Sequence, residues 1–125
     1  MSELAPTPRG WPAVPAGGRL LAVVADLMDR SRVAAARPDA VFLPATPAGL
    51  ARLSELGPTD VVVVDAARPG VIEAAAGCRA RVIGFVAHVD ADTTAAAGDA
   101  GIEVLARSTF FRRLSRDDVA DAGER

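Results

Sequence analysis

The sequence predicts an α/β domain: a parallel sheet of five strands, ordered 2-1-3-4-5, with helices on both faces. Two features carry that prediction. First, apolar runs without polar alternation recur along the chain, as at Leu20–Val24 and Val61–Val64. β-branched residues in a row are poor helix formers and good strand formers, and a run apolar on both sides belongs to a strand covered on both faces. Second, each run is followed by a turn signal and then a segment of helical period. Strand and helix therefore alternate, and parallel strands joined by short crossovers wind right-handed.

The elements follow in order. Residues 1–18 carry Pro6, Pro8, Pro12 and Pro15 with Gly10, Gly17 and Gly18. That density excludes helix and central strand and predicts an extended, disordered leader. Trp11 is its sole large apolar group, free either to dock or to stay exposed. The domain then spans residues 19–115. Arg19–Ala25 is the first strand, ended by Asp26. A helix follows from about Met28 to Ala36, in which Leu27, Met28, Val33 and Ala34 can share a face with Arg30 and Arg32 outside, and Asp29 points toward solvent. Pro38 ends it, and Ala40–Leu43 is a short second strand. Thr46-Pro47 starts a helix as N-cap and N1, with Leu50, Leu53 and Leu56 as its apolar stripe and Gly57-Pro58 as its stop.

Val61–Val64 is the third strand, closed by Asp65 and the Arg68-Pro69-Gly70 turn. Val71–Ala76 permits only a short helix. Arg81–Ala87 is the fourth strand, and Asp90 or Asp92 caps a helix running to about Ala100, stopped by Gly101. Ile102–Ala106 is the fifth strand. Ser108 caps a last helix with Phe110, Phe111 and Leu114 inward; adjacent Phe110 and Phe111 cannot both point fully inward, so either one is a candidate for a partner or homodimer contact or both are partly buried. Residues 116–125 read as a polar tail.

Composition narrows the function. A chain of 125 residues, half of them apolar, builds one domain with a real core. A net charge of −2 gives no reason to expect a nucleic-acid partner. No apolar stretch approaches the roughly 20 residues of a membrane helix, and no secretory signal pattern opens the sequence, so the cytoplasm is the expected compartment. Lysine is absent, so any role that needs a side-chain cation falls to arginine. Cys78 is the only cysteine, which excludes an internal disulfide and a Cys/His zinc cluster.

Two aspartates stand out. Strands one and three are neighbours in the expected order, so Asp26 and Asp65 arrive at one rim, beyond the carboxyl ends of the strands, where open α/β sheets bind ligands. Paired carboxylates repel unless a proton or a cation lies between them, and hard oxygen ligands suit Mg²⁺. A carboxylate is also a nucleophile toward phosphorus. The plainer reading is that both merely end their strands. His88 lies on the same rim near Asp90 and Asp92, as a general base, a metal ligand or a polar loop residue. Neither a glycine-rich phosphate loop nor a Gly-x-Ser-x-Gly elbow is present.

These residues resemble the receiver domains of bacterial response regulators, which have a flavodoxin-like fold. Asp65 followed by Arg68-Pro69-Gly70 resembles the phosphoacceptor aspartate and its turn. Val23-Val24-Ala25-Asp26 resembles the end of the first strand, where the family carries an acidic pair for Mg²⁺. Val82–His88 resembles the fourth strand, and Ala100–Arg107 the run into the fifth strand and its lysine. The resemblance implies two-component or phosphorelay signalling: Asp65 as phosphoacceptor for a histidine kinase, Mg²⁺ held by Asp26, Asp65 and the carbonyl of Ala67, and Arg107 in place of the lysine.

The departures are physical. Ala25 halves the acidic pair. The hydroxyl expected at the end of strand four is replaced by Val86, with Ala87 and His88 after it, and valine cannot donate to a phosphoryl oxygen. Arginine keeps the charge of lysine but not its reach or geometry. The expectation is therefore a degenerate, stand-alone receiver acting by protein–protein interaction, its phosphoryl switch weakened or lost. The alternatives are a working receiver phosphorylated on Asp65, and a small ligand-binding or enzymatic domain around His88.

Overall fold

The computed structural model describes residues 10–115. β1 (Leu20–Val23), β2 (Val41–Phe42), β3 (Val61–Asp65), β4 (Arg81–Val86) and β5 (Ile102–Ala106) alternate with α1 (Leu27–Ala36), α2 (Pro47–Ala51), α3 (Val71–Ala75), α4 (Ala91–Asp99) and α5 (Arg107–Ser115). A 3-10 turn at Arg52–Glu55 extends α2. All strands pair in parallel in the order β2-β1-β3-β4-β5. The fold is flavodoxin-like, as the sequence predicts.

Strand alternation divides the core in two. Val62 and Val64 face a cluster with Leu53, Leu56, Val71 and Ala97, under α2, α3 and α4. Val61 and Val63 face Val33, Phe85, Phe110 and Phe111, under α1 and α5. Burying each of the four valines of β3 contributes about 1.5–3 kcal/mol, so this strand anchors both layers. Gly84 of β4 lets the sheet close: a Cβ there would lie 2.9 Å from the Cβ of Ala66.

The capping signals are realised. Asp26, Thr46 and Asp90 accept the N3 amides of Asp29, Gly49 and Thr93 at 3.0, 3.2 and 2.7 Å. Gly70 supplies the left-handed φ of +85° that ends the turn after Asp65.

The structure corrects the expected reading of α1, of α5 and of residues 10–18. Leu27 and Met28 are 78% and 71% exposed, whereas Asp29 is buried. Because Asp26 is the cap, the inward positions of α1 are Asp29 and Val33, one turn apart. Second, Phe110 and Phe111 are both buried, at 0% and 2% exposure. The helix begins at Arg107 directly from β5, so Ser108 lies inside its first turn rather than at its cap. Trp11 covers the outer flank of Phe110, edge-on at 5.5 Å, while the guanidinium of Arg32 covers Phe111 at 4.0 Å. Third, residues 10–18 are docked on the domain rather than free of it. Buried Arg37 donates to the carbonyl of Pro12 at 2.7 Å and pairs with Asp39, tying this segment to the end of α1. The rest of the expected leader and the tail at 116–125 lie outside the described residues.

Candidate functional site

β3 delivers Asp65 to the carboxyl rim because its four valines exhaust the buried length of the strand and the next residue is half-exposed. The carboxylate turns back on its own loop: Oδ1 accepts the amide of Ala67 at 3.0 Å, and the carbonyl of Asp65 accepts the amide of Arg68 at 3.1 Å. The Arg68 guanidinium donates to the carbonyl of Ala45 at 3.2 Å, pinning the turn to the loop before α2.

Val23 pairs with Val64, so Asp65 is level with Val24, and Asp26 stands two residues farther out on the neighbouring chain segment. Both aspartates thus reach the same rim. Asp26 is occupied as a helix cap through Oδ1. One oxygen of each carboxylate already accepts a backbone N–H, and among the described residues no group of three or more His, Cys, Asp or Glu side chains is arranged to hold a metal ion. The carbonyl of Ala67 sits in the same turn. The residues expected to hold Mg²⁺ therefore offer a thin donor set.

Arg107 does not join Asp65. Standing where β5 becomes α5, it pairs with Asp29 on the first turn of α1 and lies 5.1 Å from the centroid of Phe111. The Asp29 side chain is only 5% exposed, so Arg107 compensates a carboxylate that water cannot reach. This pair was not legible from the sequence, where Asp29 reads as a solvent-facing helix residue. The one available signal was its spacing of four from Val33, the buried centre of α1.

On β4, Val86 is buried and its side chain closes the strand end with no hydrogen-bonding group. Ala87 and His88 follow, both exposed, and His88 has no hydrogen-bond partner among the described residues. Asp90 beyond it is committed to capping α4. The Thr93 amide holds its carboxyl below the usual range, with a small contribution from the charge of His88.

The rim also carries apolar surface. Leu27 and Met28 at the start of α1, and half-exposed Val89 after β4, stand at the same carboxyl end of the sheet as Asp65. Among the described residues no helix is long and apolar enough to cross a membrane. No family model, no curated protein and no solved structure matches this chain.

Proposed function

We propose that this protein is a receiver-like regulatory module that works by binding another protein, with the phosphoryl switch of receiver domains weakened or lost. The observation that carries this reading is the partner of Arg107. A cation standing in for the receiver lysine would serve a phosphorylated Asp65; here it neutralises Asp29. Val86 supports the reading, since valine offers nothing to a phosphoryl oxygen, and Asp26 supports it by serving as a helix cap. A rim that keeps the sheet but exposes Leu27, Met28 and Val89 has surface to offer a protein partner. The site then acts as a fixed recognition surface rather than a two-state device.

The test is chemical. Incubating the full chain with acetyl phosphate and Mg²⁺, followed by intact-mass measurement, is expected to show no phosphoryl adduct. An adduct that disappears in Asp65→Asn overturns the proposal in favour of a working receiver that accepts phosphate from a histidine kinase.

A further inference from the structure

A second feature lies away from the Asp65 turn. α5 presents Arg107, Phe111 and Ser115 in one helical row and Ser108 and Arg112 in the next, and Arg32 of α1 faces them. Together they line a cleft of about 450 Å³. Phe111 is its floor. The guanidinium carbons of Arg32 and Arg107 lie 4.0 and 5.1 Å from the centroid of that one ring, so they are no farther apart than those two distances together.

The aromatic ring attracts both cations. The only carboxylate that meets them among the described residues is Asp29, which takes one N–H of Arg107. The remaining donors of Arg107, and those of Arg32 and Arg112, have no hydrogen-bond or ion-pair partner among the described residues. Ser108 is exposed at the mouth with its hydroxyl similarly unengaged, while Ser115 is turned back to the carbonyl of Phe111 at 2.9 Å.

We propose that this cleft binds the oxyanion of a small phosphate monoester, with Arg32, Arg107 and Arg112 as charged donors and Ser108 as a hydroxyl donor. Guanidinium forks match phosphate oxygens with paired N–H bonds, and a monoester dianion meets the excess of positive charge. The cleft is larger than an inorganic phosphate ion, which leaves room for the organic part of an ester beside Ala87. Asp65 does not line this cleft, although the cleft shares Arg107 with the receiver-like reading.

The test titrates phenyl phosphate into the isotopically labelled full chain at constant ionic strength, following backbone amide shifts. The expected result is a saturable response centred on residues 29–33 and 107–115. Arg112 is exposed and its replacement leaves the core intact, so Arg112→Gln should fold normally and bind about tenfold more weakly, the loss of one charge-assisted contact. Arg79→Gln, at an exposed arginine outside the cleft, should bind as the parent does. Shifts that do not saturate, unchanged affinity in Arg112→Gln, or an equal response to benzyl alcohol would overturn the proposal.

Discussion

The Asp29–Arg107 pair yields a quantitative prediction. Arg107→Ala strands a carboxylate whose side chain is 5% exposed, while the arginine it loses is itself 39% exposed. Breaking a buried pair from one side costs about 3–5 kcal/mol, and an exposed pair is worth about 0–1. The half-exposed guanidinium places Arg107→Ala between those limits, at about 2 kcal/mol. Asp29→Ala is milder, about 1 kcal/mol, because the freed arginine can turn to water. The double variant should then cost less than the two singles together, with a coupling of about 1–1.5 kcal/mol. Urea unfolding measures this directly, with the fluorescence of Trp11, the only tryptophan and packed on Phe110, as the probe. Additivity within about 0.5 kcal/mol would refute the claim that this pair holds α1 to α5.

Other outcomes follow from the same geometry. Asp60 accepts the amides of Gly57 and Arg19 at 2.9 and 3.0 Å, and the Gly57 bond is the largest of the causes that lower its pKa. Its folded pKa is depressed, so its stabilisation is complete above the unfolded carboxylate value and is lost as pH falls through the lower folded value. Asp60→Ala should cost about 1–3 kcal/mol at neutral pH and give a shallower loss of stability below about pH 4 in acid-unfolding curves. Gly84→Ala presses a methyl to within 2.9 Å of the Cβ of buried Ala66, just beyond β3, so thermal melting should report a loss of about 1–3 kcal/mol; an unchanged midpoint would show that the turn at Ala66 gives way. α4 buries a single side chain, Ala97, and should show the least amide-exchange protection of the longer helices, well below α5 with Phe110, Phe111 and Leu114.

The fold was readable because its signals are local. Valine runs mark strands, and Thr46-Pro47 and Gly101 mark helix ends, each within a few residues. The misread positions depend on partners far along the chain. Asp29 is polar yet buried because Arg107 meets it across 78 residues, and Leu27 and Met28 are apolar yet exposed because the Asp26 cap sets the phase of α1. Phe110 and Phe111 both fit inside because Trp11 and Arg32, from segments near the opposite end of the sequence, cover them. Helical periodicity cannot report those covers. Of the candidate site, the rim position of Asp65 was legible from its strand, whereas the destination of Arg107 was not.

If the rim around Asp65 is a fixed surface rather than a phosphoryl switch, as proposed above, a phosphoryl mimic leaves it unchanged. This is tested most directly by the amide spectrum of the full chain with Mg²⁺, before and after adding beryllofluoride as a phosphoryl mimic. The signals of Asp65–Gly70, Ala87–Val89 and β5 are expected to stay where Mg²⁺ alone leaves them. Saturable shifts spreading from Asp65 to β5, abolished by Asp65→Asn, would contradict it.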